Sequence, residues 1–189
     1  MNFTLLILQS IYFLVPAYFA NMAPVIAQKM RLFPKLAIPI DNHLPFFDKK
    51  PLFGNHKTYR GLILGSIAGI LGAYIQAILY PIEFFHNVSI LNYTVVNIPL
   101  FLGFLMGFGA ISGDLIKSFF KRRINIKAGN KFIPFDQIDF VFGAYLFVLP
   151  FYYIYLNYSL FFSSLLCSFF LHIIINRVAF YLKIRKEKW

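Results

Sequence analysis

Apolar residues in this chain come in long blocks; they do not alternate, and they do not keep to one helical face. Apolar blocks, uncharged apart from Asp139 in the fourth and Arg177 in the fifth, occupy 3–27, 62–80, 93–111, 138–156 and 160–182. Each approaches the roughly 20 residues an α-helix needs to cross a hydrocarbon core. The pattern predicts an all-α polytopic membrane protein of about five transmembrane helices, forming a single membrane domain over 1–189. Polar residues collect in two long connections, 28–59 and 113–137, and two short ones, 83–91 and 157–159. The first block lacks a positively charged start and carries Pro16, Asn21 and Pro24 where a cleavage region is small and simple, so it reads as a retained helix.

Charge adds an orientation. All 18 Lys and Arg lie in 29–60, 117–131 and 177–188. Loops rich in Lys and Arg stay inside, which predicts a cell-membrane protein with an outside N-terminus and with both long loops and the C-terminus cytoplasmic. The net charge of +11 sits beside the spans, so it points to the membrane and anionic phosphates and away from nucleic acid. Composition agrees: 59% of residues are hydrophobic and 13% charged, with 25 Phe and 12 Tyr, more apolar surface than one small interior can hold. The lone Cys167 forms no disulfide within the chain.

Within the first long loop, Pro34, Pro39, Pro45 and Pro51 hold the chain extended, leaving Phe33, Phe46, Phe47 and Phe53 for the membrane interface. Gly61, Gly65 and Gly69, then Gly103 and Gly107, recur every fourth residue, a spacing that lets helix backbones approach closely. The Asn-x-Ser/Thr sequences at Asn2, Asn87, Asn92 and Asn157 read as chance in an Asn-rich chain.

The chain has only seven acids, and Asp114, Asp136 and Asp139 flank the second long loop. Carboxylates at a membrane boundary are costly unless paired or facing water. With 113–123 continuing the third span as helix, Asp114, Lys117, Ser118 and Lys121 share one face and Leu115, Ile116, Phe119 and Phe120 the other. Asp136 and Asp139 are three apart and point the same way. Such a mixture suits a magnesium nucleotide: oxygen ligands hold the cation, which bridges phosphates, and Lys and Arg neutralise the rest. The plain alternative makes Asp136 a helix N-cap, Asp139 a dipole partner and 121–123 a topology anchor, but leaves Asp114 unexplained. His43, His56, His86 and His172 lack zinc-ligand spacing, and no Ser-His-Asp order, Walker-type or dinucleotide glycine motif is present.

Four segments, 16–25 (PAYFANMAPV), 54–61 (GNHKTYRG), 113–123 (GDLIKSFFKRR) and 134–140 (PFDQIDF), resemble in content and order the CDP-archaeol synthase family. That family is a branch of the membrane CTP-dependent cytidylyltransferases related to phosphatidate cytidylyltransferase. The resemblance implies a five-helix enzyme that condenses CTP with an anionic lipid phosphate, giving a CDP-lipid and pyrophosphate with Mg²⁺ as cofactor. It implies metal ligation by Asp114 and Asp136, with Asp139 in the same cluster, and phosphate contacts from Lys117, Ser118, Lys121 and Arg122. Asn55, His56, Lys57, Thr58 and Arg60 are expected to line a nucleotide or lipid-phosphate pocket, with Asn21 facing the cavity. One departure stands out. The phosphatidate branch has a His-Gly-Gly run and an Arg between its signature acids, whereas Ile133, Pro134 and Phe135 precede Asp136 here and Gln137 follows it. A CTP-dependent kinase of a polyprenol or phytol-type alcohol is a second reading, and a small lipid transporter or scramblase a third. The third conflicts with polar residues gathered at helix ends, not mid-membrane. A homo-oligomer is compatible with all three.

Overall fold

The protein is described from a computed structural model that covers residues 2–94, 98–127 and 129–181. Part of the third apolar block at 95–97, the end of the fifth at 182 and the basic run at 183–188 lie outside the described residues. Seven α-helices form among the described residues: α1 (Phe3–Phe13), α2 (Val15–Lys29), α3 (Tyr59–Leu79), α4 (Glu83–Val88), α5 (Ile98–Arg123), α6 (Phe135–Tyr152) and α7 (Tyr158–Tyr181). The helices α3, α5, α6 and α7 are each long and apolar enough to span a bilayer, and α1 with α2 makes a fifth span bent by 44°. The expected five-span architecture therefore holds, with its first member broken.

The break follows from Pro16, which has no N–H to give the Tyr12 carbonyl one turn back. In hydrocarbon an unpaired carbonyl is expensive, and α3 supplies the missing donor. Gln76, fully buried, donates from Nε2 to the Tyr12 carbonyl. Its Oε1 accepts the Tyr93 hydroxyl at 2.9 Å, and the Tyr12 hydroxyl reaches the Gln76 carbonyl at 3.3 Å. A proline in one span is thus matched by a glutamine in another.

Packing among α2, α3, α5 and α6 makes the interior, while α7 leans on α1 and α6. Hydroxyl pairs hold α7: Tyr18 with Ser168 at 2.8 Å and Tyr145 with Ser164 at 2.9 Å. Ile78, Leu146, Phe162 and Ile174 turn outward, each more than half exposed, as lipid-facing side chains do. Glycine sets the closest approaches. A Cβ on Gly69 would lie 2.5 Å from the Gly103 carbonyl oxygen and from the Gly107 Cα, so α3 and α5 touch backbone to backbone, as the four-residue spacing predicts. A second crossing was not anticipated from that spacing. Gly109 and Gly113 of α5 meet Gly143 of α6, and a Cβ on Gly113 would overlap the Asp139 carbonyl oxygen.

The four Asn-x-Ser/Thr sequences mostly serve as local caps. Asn2 Oδ1 accepts from the Thr4 N–H, Asn92 Oδ1 from that of Thr94 and Asn157 Oδ1 from that of Leu160. Each is the Asx geometry that Asn favours at turns and helix starts.

Candidate active site

The first long loop is held in shape by one acid. Asp41 is buried; its Oδ2 accepts the N–H groups of Phe53 and Gly54 at 3.0 and 3.1 Å, and its Oδ1 that of His43 at 3.1 Å. Burial raises the Asp41 pKa, but the three backbone donors outweigh it and hold the carboxyl below the ordinary carboxylate range. The loop is then fastened to the end of α5 by Arg123. Its guanidinium donates to the carbonyls of Lys50 and Pro51, pairs with Asp48 at 2.7 Å and stacks 4.4 Å from the Phe119 ring and 5.0 Å from the Phe46 ring. The Lys50 ammonium returns a bond to the Arg123 carbonyl at 2.9 Å. These contacts bring the segment 53–58 over the polar face of α5.

On that face three carboxylates converge. The α5 helix runs unbroken to Arg123, so Asp114, Lys117, Ser118 and Lys121 share a side, and the Gly113–Gly143 crossing sets Asp139 of α6 beside them. The Lys117 ammonium lies 3.0 Å from Asp114, 3.1 Å from Asp136 and 2.6 Å from Asp139. Every pair of these carboxylates is therefore separated by no more than two such contacts. Lys57, from the loop, also pairs with Asp114, and Lys121 donates to both oxygens of Asp136, at 3.1 and 3.2 Å. Among the described residues, no three His, Cys, Asp or Glu side chains close on a metal position by themselves; the three aspartates close on an ammonium. Asp136 stands in the first turn of α6 behind the cap residue Pro134, so it is not the N-cap. Its Oδ2 accepts the Phe132 N–H at 2.6 Å, which ties the segment just before α6 to the cluster.

Two cavities adjoin the cluster. The larger, about 220 Å³, is lined by Asn21, Pro24, Val25 and Gln28 of α2, by Ile40, His56, Lys57 and Thr58 of the loop, by Gly61 and Leu62, and by Ile111, Asp114 and Leu115. The smaller, about 90 Å³, is walled by His56, Lys57, Lys117, Ser118, Lys121 and Arg122, with Phe53, Gly54 and Gly129. His56 and Lys57 line both. Within the smaller cavity's wall, the Arg122 Nε is buried with no hydrogen-bond partner, a cationic donor that an anion would satisfy.

The structure thus gathers Asn21, His56, Lys57, Thr58, Asp114, Lys117, Ser118, Lys121, Arg122, Asp136 and Asp139 around one boundary site. Two expected pocket residues sit to the side. Asn55 Oδ1 faces the His43 ring at 3.2 Å, and the Arg60 guanidinium donates to the Leu32 carbonyl at 3.1 Å; neither lines these two cavities. Thr58 has a second task, capping α3 by accepting the Gly61 N–H. Sequence reasoning missed Arg123, Asp41 and Gln28; the Asp in a proline-rich loop was the available signal for the second.

The chain is similar to known proteins over nearly its whole length. The family model described as "CarS-like: CDP-archaeol synthase" matches residues 3–189. The chain is 35% identical over 187 residues to the CDP-archaeol synthase of Methanocaldococcus jannaschii, covering 97% of this chain and 98% of that one. It is 31% identical over 189 residues to the CDP-archaeol synthase of Methanococcus aeolicus, covering all of both. A solved structure described as "Structural insight into an intramembrane enzyme for archaeal membrane lipids biosynthesis" superposes with a TM-score of 0.71 at 25% identity, covering 90% of this chain and 94% of that one.

Proposed function

This chain belongs to the CDP-archaeol synthase family, and from that premise we propose that it joins CTP to an archaeal-type isoprenoid-ether glycerol phosphate at the carboxylate–lysine site, giving CDP-archaeol and pyrophosphate. The observation that carries the reading is the contact of Lys117 with all three aspartates beside a basic cavity lined by Lys57, Lys121 and Arg122.

Hard oxygen donors that already surround one cationic point suit a divalent metal, so Asp114, Asp136 and Asp139 are the residues to hold Mg²⁺. When bound, the metal polarises the α-phosphate and neutralises the leaving group. Lys57, Lys117, Lys121 and Arg122 meet the CTP phosphates and take up charge on the departing pyrophosphate, while Ser118 offers a hydroxyl. An ionised oxygen of the lipid phosphate attacks the α-phosphorus in line, and the α–β bridging P–O bond breaks. No proton has to move, since the nucleophile is already ionised at neutral pH, so the catalysis asked of the protein is positioning and charge stabilisation. The larger cavity, with Pro24, Val25, Leu62, Ile111 and Leu115 beside Asn21, Gln28 and Thr58, suits a group with both polar and apolar parts. We place the site on the cytoplasmic face, where CTP is, with the N-terminus outside, because every Lys and Arg falls in three stretches, two of them the loops that build the site.

Incubation of the purified protein with labelled CTP, Mg²⁺ and the isoprenoid-ether glycerol phosphate should yield CDP-lipid and pyrophosphate in equal amounts. With a polyprenol or phytol-type alcohol supplied as acceptor in a parallel incubation, transfer of the CTP γ-phosphate to its hydroxyl with release of CDP would instead establish a kinase. Turnover undiminished in excess chelator would remove the metal from the account.

A further inference from the structure

Resting on the metal reading above, we infer that Lys117 is a displaceable internal counter-ion that occupies the cation position of the three aspartates until metal and polyphosphate arrive together, and then turns into the smaller cavity to meet the phosphates. Three carboxylates, Asp114, Asp136 and Asp139, face three ammonium groups, those of Lys57, Lys117 and Lys121. The cluster is therefore balanced without any metal. Its centre is also withdrawn from water: the Lys117, Lys121 and Asp139 side chains are 13%, 8% and 6% exposed, against 21–24% for Asp114, Asp136 and Lys57 at its rim. A free divalent ion added there brings two uncompensated charges into a region where each counts for more than in water.

Two changes relieve that excess. One is delivery of the metal with a polyanion, whose phosphates enter the neighbouring cavity beside Arg122 and Lys121. The other is departure of an ammonium from the carboxylates. Lys117 makes both possible, because it touches all three acids and already forms part of the smaller cavity's wall. Its long stem lets the charge swing between the two without moving α5. Binding of metal and binding of polyphosphate then reinforce each other, and by linkage the reinforcement is equal in both directions. A practical consequence is that the site refuses free divalent ions and accepts the nucleotide complex.

The probe is Mn²⁺, an oxygen-preferring stand-in for Mg²⁺, read by water-proton relaxation on the full chain in detergent, which separates protein-bound ion from ion held by free nucleotide. In the native protein, Mn²⁺ alone should give weak enhancement and Mn²⁺ with CTP a strong one. Lys117→Gln should bind Mn²⁺ alone roughly tenfold or more tightly than the native protein, Lys117→Arg should restore weak binding, and Lys117→Gln with Asp114→Asn should lose the gain. Tight binding of Mn²⁺ alone by the native protein overturns the inference with no variant needed. So does a Lys117→Gln protein that gains nothing while native protein with CTP still responds. Absence of any response to Mn²⁺ with CTP in the native protein has a different meaning: the metal assignment itself fails.

Discussion

Replacing Gly113 by Ala tests whether helix contact sets the geometry of the site. The added Cβ would overlap the Asp139 carbonyl oxygen, with the Gly143 Cα 3.1 Å away. Both obstacles are backbone, so no side chain can rotate aside. Restoring an ordinary contact demands that α5 and α6 separate by about 1 Å. That crossing carries Asp114 and Lys117 on one helix and Asp136 and Asp139 on the other, joined by contacts of 2.6 to 3.1 Å. A displacement of that size costs a reacting site about 100-fold in rate, and overpacking costs about 1–3 kcal/mol of stability. Gly69→Ala is the comparison, since its Cβ would lie 2.5 Å from backbone of Gly103 and Gly107 at the α3–α5 crossing, away from the carboxylates. CDP-lipid formation per inserted molecule, with thermal unfolding in detergent, should show both variants destabilised and Gly113→Ala much the slower. A Gly113→Ala protein within threefold of native turnover and equally stable would refute the reasoning.

Asp114→Asn, which leaves Lys57 and Lys117 without that charge partner, should reduce CDP-lipid formation at least ~100-fold with insertion intact; native turnover would exclude a role for the carboxylate. Lys121→Ala should lose less, because Lys57, Lys117 and Arg122 line the same cavity, and a loss larger than that of Asp114→Asn would make the amine the centre of the site. Gln76→Leu strips the buried Tyr12 carbonyl and Tyr93 hydroxyl of partners and should destabilise by roughly 1–3 kcal/mol per orphaned group, with kcat of the folded fraction unchanged; unaltered thermal unfolding would contradict it. Asp41 has a folded pKa below its ordinary value, so its stabilisation is complete above that ordinary value and disappears as pH falls through the lower one. Asp41→Asn should therefore lower the unfolding temperature at pH 7 and leave it unchanged in strong acid; an equal loss at both would point to packing.

The spans were legible because a bilayer demands length and apolarity from a helix, and both are visible in a string of letters. So was the polar face of α5, since Asp114, Lys117 and Lys121 stand at helical intervals and the helix continues through them. Other features depend on partners far away in the chain. The first block reads as one continuous span, but it bends by 44° because Pro16 cannot bond the Tyr12 carbonyl, which takes a donor from Gln76 in α3. Asn55 and Arg60 sit within a motif whose neighbours enter the site, yet they bond to His43 and Leu32. Spacing along the loop cannot tell which side of an irregular backbone a residue takes. Arg123 looked like the last member of a basic anchor; its stack on Phe46 and Phe119 exists only because the loop returns over α5.

The two glycine crossings explain why a site at the bilayer boundary is held firmly at all. Lipid tails are as apolar as Leu, so no hydrophobic force drives two spans together, and close packing must do it. In α5 the glycines divide the work: Gly103 and Gly107 meet α3, and Gly109 and Gly113 meet α6. Because α3 begins at Tyr59, two residues after Lys57, the first crossing bears on the loop that brings Lys57 to Asp114 but not on the spacing of α5 from α6. The second sets Asp136 and Asp139 against Lys117. Each charged contact thus inherits its spacing from backbone surfaces that cannot compress, while outward residues such as Ile78 and Leu146 need only be apolar. Substitution should therefore be tolerated across the lipid-facing surface and resisted at the glycines of these two crossings.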